Sequence, residues 1–186
     1  MSSQDHRAEA AAAPSPVRCA VLTISDTRTA ATDRGGPAAR ELLESFGHVI
    51  HDSAIVPDEP DQIRMVLERW LKNNEIDVII TTGGTGIGQR DCTIEAVRPL
   101  LRMELEGFGE LFRMLSWEEI GPAAMLSRAV GGLAALPAAP EGVERAAFIF
   151  ALPGSVKAVE LAITRLIGPE LPHLAWERRK SSNLSR

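Results

Sequence analysis

Asp77-Val78-Ile79-Ile80-Thr81-Thr82-Gly83-Gly84-Thr85-Gly86-Ile87-Gly88-Gln89-Arg90-Asp91 is the stretch of this chain from which the rest can be ordered. Its first six residues are a short β-branched run, the composition of a strand covered on both faces. Residues 83–88 then place glycines where a side chain would keep a ligand away from the backbone, and a helical pattern begins near Thr93. Strand, glycine loop and helix in that order suit an anion, because backbone N–H groups turn inward and the helix start adds partial positive charge.

Toward the N-terminus, Pro57-Asp58-Glu59-Pro60 opens a helix whose apolar residues Ile63, Val66, Leu67, Trp70 and Leu71 recur at helical spacing. Before it, Val49–Val56 reads as a strand, Pro37 starts a helix stopped by Gly47, and residues 19–24 (CAVLTI) form another buried strand ending in Ser25-Asp26-Thr27. Toward the C-terminus, residues 107–115 and 122–130 read as helical stretches joined by residues 116–121. Residues 136–142 read as a loop, 146–152 (AAFIFAL) as a strand, Pro153-Gly154-Ser155 as a tight turn and 156–167 as a closing helix.

This alternation predicts an α/β fold with three layers, α/β/α, around a mainly parallel sheet in a single domain. Ligands in such folds sit beyond the carboxyl ends of the strands, where Ser25-Asp26, the glycine loop and Pro153–Ser155 gather. Residues 1–16 are small, polar or proline and are expected to form a disordered tail. The domain spans 17–176, and 177–186, with Arg178-Arg179-Lys180, is read as a solvated polar end.

The chain has 186 residues, 45% of them apolar, enough for one core. Its 20 Lys and Arg against 25 Asp and Glu leave a net charge of −5, which speaks against nucleic acid as a partner. Cys19 and Cys92 have neither metal-ligand nor CxxC spacing, and no signal peptide or apolar membrane span is present, so a reducing, cytoplasmic setting is expected.

The glycine loop misses two familiar nucleotide motifs. Gln89 stands where a P-loop needs Lys and Arg90 where it needs Ser or Thr, and neither Gly84 nor Gly86 finds the third glycine of GxGxxG in register. Asp91, just beyond the loop, has two readings: a magnesium ligand beside phosphate oxygens, or a cap of the helix that follows, a role Thr93 would serve equally. Asp58 carries the same ambiguity at the helix starting with Glu59-Pro60. His48 and His51 are too far out of phase on a strand for a compact metal pair, and Cys92 reads as a small buried residue rather than a nucleophile.

Four separated segments match a known family in order and spacing: TTGGTG (81–86) with Arg90-Asp91, GFGELF (107–112), SRA (127–129) and LPGS (152–155). Over residues 17–171 the chain resembles the MogA/MoaB molybdopterin-binding family, and residues 107–121 look most like its MoaB branch. The resemblance implies a homotrimer or hexamer that transfers AMP from Mg-ATP to the terminal phosphate of molybdopterin, releases pyrophosphate, and hands its product to a metal-insertion protein. It further implies that Gly83, Gly84, Thr85 and Gly86 cradle phosphate, that Asp91 serves Mg2+ and catalysis, and that Asp58 assists. Ser25 and Asp26 would serve from the first loop, and Ser127, Pro153, Gly154 and Ser155 from the pterin side. Alternatives are a catalytically inactive molybdopterin-binding protein and a nucleotide-binding scaffold; retention of both Asp58 and Asp91 favours the enzyme. The apolar segment 103–115 is expected to be partly buried between copies of the chain.

Overall fold

Buried side chains along the central strands point alternately to two separate cores. On β1 (Arg18–Ile24), Cys19 and Val21 enter one core while Ala20, Leu22 and Ile24 enter the other. On β3 (Val78–Thr82), Val78 and Ile80 oppose Ile79 in the same way. A strand with both faces apolar must be covered on both, and the computed structural model, which describes residues 16–135 and 146–183, has that layering. The first core packs beneath α1 (Gly35–Ser45), α4 (Glu106–Ile120), α5 (Val156–Ala162) and α6 (Gly168–Asn183); the second packs beneath α2 (Pro60–Leu71) and α3 (Thr93–Val97). Trp70 lies in the second core, as its helical spacing predicts, and its ring N–H donates to Asp52 at 2.7 Å.

The sheet has six strands in the order β2-β1-β3-β6-β5-β4. The strands β2 (Val49–Val56), β1, β3 and β6 (Ala146–Leu152) run parallel; at one edge β5 (Val130–Ala135) pairs antiparallel with β6, and β4 (Leu101–Glu104) pairs antiparallel with β5 and so runs in the direction of the other four. The mainly parallel sheet, its layers and the single domain agree with the sequence reading. Among the described residues no helix is long and apolar enough to cross a membrane.

The antiparallel edge is where the sequence reading fails. Residues 122–130 are not a helix: a short 3-10 turn covers Gly121–Leu126 and β5 follows. Gly131 and Gly132 break any apolar alternation, yet a Cβ at Gly131 would lie 2.4 Å from the Phe150 ring, and one at Gly132 would lie 2.4 Å from the Met103 carbonyl. Close approach of neighbours, rather than strand propensity, selects these residues. Residues 116–120 belong to α4, whose buried Ser116 hydroxyl donates to the Phe112 carbonyl at 2.8 Å; the helix stops at Gly121, with φ of +59°. Residues 1–15, most of the expected tail, and the loop expected at 136–142 lie outside the described residues.

The C-terminal end also departs from expectation. Helical backbone continues past Ile167 through a wider turn (Ile163–Ile167) into α6, and Arg178 is not solvated as part of a loose end. Its guanidinium donates to the Ala146 carbonyl at 2.7 Å and to the Asp77 carboxylate. Asp77, only 3% exposed, also accepts from the Arg18 backbone N–H at 3.0 Å and its Nε at 3.0 Å. Burial alone would raise the Asp77 pKa, but these hydrogen bonds from Arg18 and the Arg178 charge outweigh it and hold the carboxyl below its ordinary range.

A carboxyl depressed in the folded state stabilises the protein above the unfolded pKa, about 4 for aspartate, and loses that contribution as pH falls through the lower folded value. Thermal melts from pH 6 down to pH 3 should therefore show falling stability. Asp77→Asn should flatten that acid dependence and lower stability at neutral pH by roughly 2 kcal/mol; an unchanged pH profile would remove Asp77 from this role.

Candidate phosphate and carboxylate site

From β1 the sheet extends through β2 on one side and β3 on the other, so the carboxyl ends of β1 and β3 frame a crevice of the type where α/β sheets bind ligands. The loops after β1, β2, β3 and β6 all open on that side. Gly83, directly after β3, has φ of +104°, and a Cβ there would lie 2.1 Å from the Ile24 carbonyl at the end of β1. No side chain fits, so the glycine loop starts tight against its neighbouring strand. The loop is then fastened to α3: Thr93 donates its hydroxyl to the Gly83 carbonyl at 2.8 Å and its N–H to the Gly84 carbonyl at 2.9 Å.

The next glycines make room for carboxylates. A Cβ at Gly84, where φ is +59°, would lie 2.5 Å from Asp58 Oδ1, and a Cβ at Gly86 would lie 2.7 Å from Asp91 Oδ2. Thus Gly83, Gly84, Thr85 and Gly86 lie beside both aspartates that the sequence singled out. Asp91 Oδ2 accepts the Gly88 N–H at 2.8 Å, so this carboxylate braces the loop rather than the helix. The capping readings do not hold: Cys92 occupies the cap of α3, Thr93 lies inside it, and Glu59 occupies the cap of α2, with neither cap making a side-chain bond.

Asp58 is engaged with the first loop instead. Its Oδ2 accepts the Asp26 N–H at 3.0 Å while Asp26 Oδ1 accepts the Asp58 N–H at 3.1 Å. Arg90 spans the same pair of loops, with Nε and Nη2 on Asp26 at 3.1 and 3.0 Å and Nη1 on Glu59 at 2.8 Å. Hydrogen bonding to Arg90 holds the exposed Asp26 carboxyl low. Burial pushes the Asp58 carboxyl up, and the negative charges of Asp26 and Asp91 add to the rise against the opposing Asp26 N–H and Arg90. The carboxylates leave a region in which a cation would be favoured. Among the described residues no group of three or more His, Cys, Asp and Glu is arranged to hold a metal by itself.

Ser25 folds the first loop, its hydroxyl accepting the Thr27 and Arg28 N–H groups at 3.2 and 3.3 Å. Beneath it, Thr23 donates to the buried Asp33 at 2.7 Å, and Asp33 accepts the Gly36 N–H at 3.2 Å, fixing the start of α1. The Pro153 carbonyl accepts from Thr82 Oγ1 at 3.2 Å; a Cβ at Gly154 would come within 3.1 Å of Gly83 Cα; and Ser155 caps α5 through the Ala158 N–H at 3.2 Å. The turn after β6 therefore lies against the glycine loop.

Ser127 ends the 3-10 turn, its N–H on the Ala124 carbonyl at 3.0 Å, and the residue that reaches the glycine loop is its neighbour Arg128. Arg128 donates to the Thr85 and Gly86 carbonyls at 2.8 and 2.7 Å and to Glu95 at 2.6 Å. Neither Arg90 nor Arg128 was assigned a role from sequence, although both stand inside quoted motifs, Arg90-Asp91 and SRA (127–129). A cation in a motif that otherwise supplies acids and small residues was the available signal. Cys19 is buried, its thiol pushed up to about 12 by burial, and Cys92 is half-buried; both are free, and neither is set up as a nucleophile.

Comparison with known proteins shows the family and the fold. Residues 20–173 match the model of a probable molybdopterin binding domain. The chain is 53% identical over 167 residues, 88% of its length and 92% of the relative's, to molybdenum cofactor biosynthesis protein B of Staphylococcus carnosus. A crystal structure of a molybdenum cofactor biosynthesis protein B superposes with a TM-score of 0.81 at 46% identity, covering 90% of this chain and 99% of the other. The tungsten cofactor synthesizing protein MoaB from Pyrococcus furiosus superposes with a TM-score of 0.75 at 36% identity, covering 91% and 99%. On the family match over most of its length, the identity to its relatives and the superposition of the fold, the chain belongs to the MogA/MoaB molybdopterin-binding family of molybdenum cofactor biosynthesis proteins.

Proposed function

We propose that the protein transfers AMP from Mg-ATP to the terminal phosphate of molybdopterin and releases pyrophosphate. The observation that carries this reading is the placement of Asp58 and Asp91 against glycines of a single phosphate-type loop. The attacking group is a phosphate oxygen that is already anionic, so no base must first remove a proton and no covalent intermediate is needed. An O–P bond forms to the α-phosphorus of ATP while the α–β bridging P–O bond breaks, and the electron pair leaves on pyrophosphate.

The work left to the protein is alignment of two polyanions and offset of their charge. Loop N–H groups at Gly84, Thr85 and Gly86 would hold phosphate, with Gly83, whose own N–H is taken by the Leu152 carbonyl at 3.1 Å, setting the start of the cradle; Ser25, Asp26, Ser127, Pro153, Gly154 and Ser155 would border the two substrates. Magnesium typically takes one or two carboxylates and completes its shell with phosphate oxygens and water, which suits this site. Asp91 would hold it with Asp58 assisting, and it would supply charge neutralisation on the phosphates. Burial is the main cause of the upward push on Asp58, and a cation would relieve the part that comes from the charges of Asp26 and Asp91.

We further propose a homo-oligomer that acts in a cytoplasmic pathway and passes its product to a metal-insertion protein. Within 103–115, Phe108, Phe112 and Leu115 serve the chain's own core, so the outward surface is narrower than that segment. Leu111, Met114, Trp117 and Ile120 recur at every third residue on α4 and remain exposed, with Met125 and Leu126 beyond them. A second copy would bury this stripe.

With molybdopterin and Mg-ATP labelled at the α-phosphate, label should appear in the pterin product with stoichiometric pyrophosphate. Folded protein that binds both substrates without transfer would leave a pterin-binding protein and sink the enzyme reading. Asp91→Asn keeps an oxygen for the Gly88 N–H but loses the charge, so it should slow turnover by roughly a hundredfold with pterin affinity and melting temperature near wild type. Near-normal turnover would exclude Asp91 from catalysis. Light scattering should give a mass that is a multiple of 20.1 kDa; a monomer at micromolar concentration would contradict the oligomer.

A further inference from the structure

We propose that Arg128 is a positioning residue that aims the Gly86 and Ile87 N–H groups at the bound phosphates by holding the carbonyls in the same two peptide planes. The proposal rests on the nucleotide reading of the glycine loop given above. Arg128 Nε donates to the Thr85 carbonyl at 2.8 Å and Nη2 to the Gly86 carbonyl at 2.7 Å. The described chain has no cis peptide bond. In a planar trans peptide the C=O and N–H point in opposite directions. Drawing the Thr85 carbonyl toward Arg128 therefore turns the Gly86 N–H away from it, and drawing the Gly86 carbonyl does the same for the Ile87 N–H.

The buried Thr85 side chain restrains the start of this part of the loop, but packing gives little hold on the peptides beyond it. Glycine rotates with little steric resistance, and the Ile87 side chain is 75% exposed, so no apolar packing locks it. The following N–H, of Gly88, is already taken by Asp91. Arg128 and Asp91 thus divide the loop: one orients donors for a ligand, and the other withdraws a donor to brace a carboxylate. Glu95 holds the remaining edge of the guanidinium, with Nη1 on Oε1 at 2.6 Å and a longer bond from Nη2 to Oε2 at 3.4 Å, while Nε and Nη2 make their short bonds to the two carbonyls. A planar fork is needed for two consecutive carbonyls, which a lysine ammonium does not provide.

The test measures affinity for the α,β-methylene analogue of ATP with magnesium, by calorimetry, in wild type, Arg128→Ala, Arg128→Lys and Glu95→Gln, with thermal melts beside each. Arg128→Ala should weaken binding about tenfold or more, and millimolar guanidinium should restore much of the loss where equal sodium chloride does not. Arg128→Lys, which keeps the charge and serves if the alanine variant does not fold, should stay weak, and Glu95→Gln should lose far less. Wild-type affinity in Arg128→Ala, or full recovery by Arg128→Lys, would overturn the positioning role while leaving the nucleotide site standing. Wild-type protein that fails to bind the analogue at all would overturn both.

Discussion

The contact on which the site depends is the Ile24 carbonyl pressed against Gly83, where β1 and β3 end side by side. A residue with any side chain would push the strands' ends apart, so this crowding both demands a glycine and sets where the loop begins. From that anchored start the chain is pinned by Thr93, passes Asp58 at Gly84 and Asp91 at Gly86, and is held from outside by Arg128. Each attachment is a hydrogen bond or a close approach that a bulkier residue would prevent. A loop composed so heavily of glycine would otherwise be mobile, and an anion site made of backbone donors is useful only if those donors are already oriented.

The electrostatics follow from the same crowding. Asp26, Asp58 and Asp91 stand together around the loop although their charges repel; Arg90 is bonded to Asp26 and Glu59 and also favours the Asp58 charge, but at Asp58 burial and the like charges outweigh it. Such an arrangement costs stability in the free protein. It makes chemical sense where a cation arrives with an anionic substrate, so that binding relieves the repulsion and the carboxylates meet the phosphates through the cation rather than directly.

Much of this was legible in the sequence because the central strands have an unambiguous pattern. Residues 146–152 are apolar without interruption and 19–24 nearly so, broken only by Thr23, the pattern of strands covered on both sides. The edge was not legible, since β5 carries Gly131-Gly132, chosen for the approach of Phe150 and of the β4 backbone, and periodicity does not register a residue selected for what it lacks. The end of the chain was misread for a related reason: Arg178 looks solvated in a polar run, and only the fold brings it to Asp77, 101 positions away in sequence. At the site, the glycines were singled out by their type and the roles proposed for Asp58 and Asp91 came only with the family resemblance, whereas Arg90 and Arg128 act on loops distant in sequence, which one-dimensional spacing does not reveal.

The most direct measurement of the central claim is a crystal structure of the protein with magnesium and the α,β-methylene analogue of ATP, in which the bond broken by adenylyl transfer is blocked. The account predicts phosphate oxygens within hydrogen-bond distance of the glycine-loop N–H groups, magnesium on Asp91, and the Arg128 bonds to the Thr85 and Gly86 carbonyls intact. A nucleotide bound away from the ends of β1 and β3, or seated there with Asp58 and Asp91 turned from both metal and phosphate, would contradict it.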